Sequence, residues 1–255
     1  GLDPAAVDTT DAGPMVGEVV EAGVLHGLVV QTTLDPVAQP FLDHHRIDGT
    51  PVLPGVMGME AFAEVARLLV PDWHVVAVED VDFRAPLKFY RDEPRTLTIT
   101  ALLRPDGADL VAECRLVAER MLPGSDTPQR QVHFTGSVRL HAQLPEPETA
   151  EQVSRPDDVK AVGREDVYRL YFHGPTYQVV AESWQDDGAV VARFAADLPP
   201  NHKPEDLPTV LGPRLVELCF QTAGVREAGR AGRLALPAHV GRVQVVGAPR
   251  TVEAT

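Results

Sequence analysis

The chain has 255 residues, 44% of them hydrophobic, enough to bury a substantial core as one large domain or two small ones. Its 23 Lys and Arg against 37 Asp and Glu give a formal charge of −14, and no long basic run offsets it. That balance argues against nucleic acid or an anionic membrane as a partner. There is no apolar stretch long enough to span a bilayer and no basic-then-apolar start, so the expected location is cytoplasmic. The two cysteines, Cys114 and Cys219, exclude a Cys-rich zinc framework and read as two buried, reduced thiols.

In chain order, β-rich runs come first: Val16–Val20 and Leu25–Thr33, then Val75–Phe83, Leu97–Leu103, Leu110–Ala118 and Val132–Leu140. Pro105-Asp-Gly107 and Pro123-Gly124-Ser125 mark turns between them. Two segments read as helices buried on most sides, Gly55–Leu69 and Pro213–Ala228. Between them, residues 144–158 are rich in proline and acid and read as a linker. The expected organisation is therefore residues 1–145, a linker at 146–160, and residues 161–255. Each unit would be a long apolar helix with antiparallel strands, an α+β fold in which a sheet wraps a central helix. After the second helix only Ala238–Val246 reads as strand, fewer than a complete second unit of that kind requires.

The chemistry concentrates in a few places. His45 stands shortly before Pro54-Gly55, which delivers the chain into the first apolar helix. This puts an imidazole, a general base suited to pH 7, beside the free N–H groups of a helix start, which stabilise an oxyanion. The adjacent His44 is expected to point to the opposite face. Glu217 and Gln221, at i and i+4, share a helix face among apolar residues, where desolvation would raise the carboxyl pKa and leave a protonated donor. Glu60 is the corresponding acid on the first helix, and reads equally as a structural carboxylate. Tyr171-Phe-His173-Gly-Pro-Thr-Tyr177 gathers aromatic and polar groups round a Gly-Pro turn, lining a pocket or capping a strand. No nucleophile elbow, phosphate loop or dinucleotide fingerprint is present, and no carboxylate or histidine cluster has metal spacing.

His45-x-x-x-Gly49-x-x-x-x-Pro54 resembles the HxxxGxxxxP signature of polyketide synthase dehydratase domains. Leu53-Pro-Gly-Val-Met-x-x-Glu60-Ala resembles the hot-dog helix of bacterial 3-hydroxyacyl-ACP dehydratases. Tyr171–Tyr177 is similar to GYxYGPxF, and Glu217-x-x-x-Gln221 to DxxxQ, in the family's order. This resemblance implies a double hot-dog fold with one active site between the halves. It implies His45 as the base that removes the α-proton of a 3-hydroxyacyl thioester and Glu217 as the acid that protonates the departing hydroxyl. Gly55 N–H would polarise the thioester carbonyl, Gln221 would hold the acid, and Tyr171 would touch the hydroxyl or the acid, with His173 and Tyr177 in support.

Three positions depart from the pattern: Glu217 stands for Asp, His173 for Tyr and Leu170 for Gly. The phrases Pro86–Arg91, His133–Gly136 and Glu217–Gly224 are most similar to iterative enediyne and polyunsaturated-fatty-acid synthases. The implied substrate carrier is the phosphopantetheine of an acyl carrier protein within the same synthase, with no metal or organic cofactor. A homodimer is compatible with the resemblance. Lys88, Arg91 and Arg95 form either a local docking patch or a solvated face. A product-template-like cyclase and a non-catalytic hot-dog scaffold that binds the carrier are the rival readings. A wider pocket and activity without a β-hydroxyl would mark the first, and carrier binding without thioester chemistry the second.

Overall fold

The computed structural model describes residues 3–23, 25–120, 127–144, 146, 153–231 and 236–245. The strands are β1 (Glu18–Gly23), β2 (Gly27–Leu34), β3 (Arg46–Ile47), β4 (Thr50–Pro51), β5 (His74–Phe83), β6 (Arg95–Asp106), β7 (Asp109–Arg120), β8 (Gln129–His141), β9 (Val162–Gly163), β10 (Val180–Asp186), β11 (Ala189–Phe194) and β12 (His239–Gln244). The helices are α1 (Pro40–Asp43), α2 (Gly55–Leu69), α3 (Arg164–Tyr168) and α4 (Pro213–Ala231).

Seven strands form one antiparallel sheet in the order β1-β2-β6-β7-β8-β5-β12. Along β2 the alternation is clean, with Leu28, Val30, Thr32 and Leu34 buried and Gln31 and Thr33 exposed. α2 lies across this sheet and packs on β2, β5, β6, β7 and β8. Every residue from Val56 to Ala66 is buried, so the helix is apolar nearly all round because it is enclosed. Its bounds coincide with those expected from the sequence.

The second half is thinner. β11, β10 and β9 make a three-stranded sheet against which α4 packs. The β10–β11 hairpin closes through Asp187-Gly188, both at positive φ (41° and 79°), the twist that two-residue hairpins favour. β12 returns to the large sheet and pairs with β5, so the strand expected after the second helix extends the first sheet. α4 is not buried on most sides. It buries one face, with Val216, Glu217 and Gln221, while Leu215 and Cys219 are exposed. Cys219 therefore departs from the expectation of two buried thiols, and Cys114 keeps to it. Residues 145 and 147–152 of the expected linker, and Val246 of the expected last strand, lie outside the described residues.

Candidate active site

Two stretches distant in sequence meet beside the start of α2. His45 and His173 form an isolated antiparallel bridge, and the Gly174 N–H donates to the His44 carbonyl at 2.8 Å. A Cβ on Gly174 would lie 2.8 Å from that of His44, so the backbones approach closely only because residue 174 is glycine. The two rings go to different partners: half-buried His44 sets its Nδ1 3.2 Å from the buried Thr176 hydroxyl, and His45 is buried.

His45 Nδ1 donates to the Val52 carbonyl at 2.8 Å. A carbonyl only accepts, so this bond fixes the tautomer and leaves Nε2 as the basic nitrogen. The ring is packed by the edges of Phe172 (5.0 Å) and Tyr177 (6.0 Å). Burial, then the neighbouring His173, push the His45 pKa down to about 4, against the opposing pull of Glu217.

Glu217 comes from the buried face of α4. One of its oxygens, Oε1, receives the His173 Nε2 at 3.2 Å and the Gln221 Nε2–H at 2.9 Å. Burial pushes this carboxyl up, but the His173 hydrogen bond, the nearby imidazoles of His173 and His45, and the Gln221 bond outweigh it. The net pKa lies below the usual value of 4.5. The expectation of a carboxyl held protonated by apolar surroundings is thus reversed, because the surroundings include two imidazoles and an amide. Gln221 is itself pinned: its amide nitrogen also donates to the Tyr177 carbonyl at 2.8 Å, and its oxygen accepts from the Tyr168 hydroxyl at 2.6 Å.

His45, Gly55, Tyr171, His173, Glu217 and Gln221 all line one cavity of about 300 Å³. The remaining wall is largely apolar, with Phe83, Phe134 and Phe220 meeting edge to face at 5.5 and 6.4 Å. As the first residue of α2, Gly55 has an N–H with no intrahelical acceptor. Phe83 presses against it so closely that a Cβ would lie 2.9 Å from its ring. Tyr171 touches neither acid nor cavity centre through its hydroxyl, which donates to the Gln221 carbonyl at 2.6 Å. Tyr177 is fully buried behind the site and contributes its backbone carbonyl. Two residues not singled out in the sequence complete the cluster: Phe172, stacked on His173 at 4.2 Å, and Tyr168, three residues before Tyr171 on the end of α3.

Glu60 is not in the cavity. Both its oxygens accept backbone N–H groups, from Val210 and from Leu211, the latter at 2.8 Å. The structural alternative for this residue is the one realised. Of the basic trio, Arg95 gives its guanidinium to the carbonyls of Lys88 and Glu119, and Arg91 pairs with Glu93 at 3.3 Å on the surface. Among the described residues, no group of three or more His, Cys, Asp or Glu is placed to hold a metal. No helix among them is long and apolar enough to cross a membrane.

A glycine at 224 keeps the α4 face open for Tyr171, since a Cβ there would stand 2.3 Å from the Tyr171 hydroxyl. Gly224→Ala is expected to expel that hydroxyl from its bond to residue 221 and lower stability by about 1–3 kcal/mol. A thermal unfolding curve checks it: an unchanged midpoint would show that Tyr171 is not held there.

Family models describe both halves. Residues 13–112 match the polyketide synthase dehydratase domain, and residues 141–255 match the polyketide synthase dehydratase N-terminal domain. No curated protein matches the chain. Among solved structures, the dehydratase domain of the CurF module of curacin polyketide synthase is 20% identical, with a TM-score of 0.71 over 91% of this chain and 83% of that one. The dehydratase domain of the polyketide PpsC from Mycobacterium tuberculosis is 24% identical, with a TM-score of 0.67 over 93% and 83%. Both share the double hot-dog arrangement of antiparallel sheets around central helices seen here. The chain belongs to the polyketide synthase dehydratase family, hydro-lyases that remove water from 3-hydroxyacyl thioesters.

Proposed function

We propose that this dehydratase works in an iterative synthase on a 3-hydroxyacyl chain carried by the phosphopantetheine of an acyl carrier protein, through a His45–Glu217 acid–base pair. The observation that carries this reading is one largely apolar cavity lined by both His45, whose Nδ1 is engaged with the Val52 carbonyl, and Glu217. His45 Nε2 takes the α-proton, the Gly55 N–H receives the developing enolate oxygen, and Glu217 gives its proton to the β-hydroxyl as the C–O bond breaks. Gln221, itself held by the Tyr168 hydroxyl, keeps the carboxyl in place. The elimination consumes no electrons and needs only base, acid and oxyanion donor, so the reading includes no metal or organic cofactor. The iterative assignment rests on the phrases around Lys88, Phe134 and Phe220. A cytoplasmic location goes with it.

The free carboxyl is ionised at neutral pH, and its proton must be gained as substrate enters. An acyl chain filling the cavity expels water from the remaining oxygen of Glu217. That strengthens desolvation, the force that already raises its pKa most. Mass spectrometry of a 3-hydroxyacyl-pantetheine thioester tests the assignment. The wild type is expected to remove one water, about 18 Da, and Glu217→Gln to slow this by roughly 10²–10⁴-fold. Full activity in Glu217→Gln would remove the acid assignment. No water loss from folded wild type would leave a cyclase or a carrier-binding scaffold.

A further inference from the structure

His173 does two things at once. Its backbone bridges to His45, and its side chain reaches Glu217 Oε1 at 3.2 Å. The base is therefore tied through its backbone to residue 173, while the acid on α4 is held by the same residue's ring. Phe172 stacks on that ring at 4.2 Å and its Nδ1 is buried with no hydrogen-bond partner among the described residues. An unpartnered buried nitrogen is tolerated far better as a bare lone pair than as an N–H, which places the ring proton on Nε2, facing Glu217. Oε1 then accepts two N–H groups, from His173 and from Gln221, which engages both its lone pairs.

We infer that His173 is a positioning residue that fixes the distance between base and acid and directs the transferable proton of Glu217 to Oε2, the oxygen left open to substrate. The inference deepens the proposed elimination and rests on it. With both lone pairs of Oε1 engaged, a proton arriving on the carboxyl has Oε2 as its only unobstructed place, and from there it passes to the leaving hydroxyl. The charge left on Glu217 is then stabilised by the two N–H groups already aimed at Oε1. Glu217 is faced by His173 and Tyr171 from the segment after α3, by Tyr168 of α3, by His45 from beside β3, and by Tyr177, on which Arg214 and Glu60 also act. Of these, the pull of His173 is the largest that favours the carboxylate.

The test is the pH profile of water loss in His173→Phe and His173→Gln. Phe keeps the stacking and removes the donor, whereas Gln restores an N–H near the position of Nε2. In His173→Phe the carboxyl loses a donor that favours its charged form. The alkaline limb of kcat/KM is therefore expected to move up by about one pH unit, with kcat on its plateau falling about tenfold and KM little changed. His173→Gln is expected to return the limb towards its wild-type position. A His173→Phe profile that superimposes on wild type after scaling, or a limb displaced to lower pH, overturns the inference. The 15N spectrum of the unaltered protein decides the same point where either variant fails to fold. A bare Nδ1 and a protonated Nε2 at residue 173 support it, and a proton on Nδ1 overturns it. Wild type that removes no water at any pH defeats the proposed function instead, and the tautomer measurement still decides the position of the His173 proton.

Discussion

His45→Phe is expected to slow water loss by roughly 10²–10⁴-fold at pH 7 and to make the fold less sensitive to acid. The phenyl ring fits among the edges of Phe172 and Tyr177, which already pack the imidazole. It removes the donor to the Val52 carbonyl, and a buried acceptor left without its partner costs about 1–3 kcal/mol, so the variant is less stable than wild type at pH 7. Lowering the pH narrows that gap. The His45 pKa falls from 6.5 unfolded to about 4 folded, chiefly through burial. Between those values the unfolded chain binds the extra proton and the folded one refuses it. Stability from a neutral His45 is therefore complete above pH 6.5 and lost as pH falls to about 4, at most about 3 kcal/mol. Urea unfolding at pH 7 and pH 4.5 checks this: wild type is expected to lose more than His45→Phe between the two. Equal losses would mean that His45 is not held neutral by the fold.

The legible parts of this molecule are those whose partners are close in sequence. α2 was visible because its apolar residues surround the whole helix, and Pro54-Gly55 marks its start. Glu217 and Gln221 were visible as a pair because helical spacing alone brings them together, and the structure gives them a 2.9 Å hydrogen bond. The acidity of Glu217 was not visible, since it is set by His173 and His45, which arrive from other elements. β10 and β11 carried a hairpin signal in Asp187-Gly188, but Glu182, Ser183 and Gln185 blur the alternation on the first strand, where Ser183 and Trp184 are buried side by side. α4 misled in the other direction: its apolar residues are numerous, yet only one face meets the sheet. The choice between catalytic and structural roles for Glu60 depended on Val210 and Leu211, 150 and 151 residues away, which no local pattern reports.

Glu60 consequently carries the largest stability prediction. Its carboxylate gathers the Val210 and Leu211 N–H groups just before α4 begins, and Glu64, one turn later on α2, accepts from the Met15 N–H at 2.9 Å. Two buried acids thus tie an N-terminal segment and the approach to the catalytic acid's helix onto the same central helix. Glu60→Ala leaves two buried donors without acceptors and opens a cavity, and is expected to cost about 3–5 kcal/mol, a large share of a stability near 5–15 kcal/mol. The pair also has a pH dependence of its own. Burial pushes the Glu60 pKa up to about 7, and burial together with the Glu60 charge pushes Glu64 well above the usual range. Because the folded state holds these protons more tightly than the unfolded one, the contribution is complete below about pH 4.5 and is lost as pH rises through 7. The pair therefore weakens the fold on the alkaline side, as His45 weakens it on the acid side. Glu64→Gln separates these effects: its amide oxygen still accepts from Met15, and it removes the like charge facing Glu60. It is expected to gain about 1–2 kcal/mol at pH 8 and to gain nothing at pH 5, where the pair already shares protons. Urea midpoints at those two pH values decide it. A Glu64→Gln protein less stable than wild type at pH 8 would show that the hydrogen bonds of the pair outweigh its repulsion.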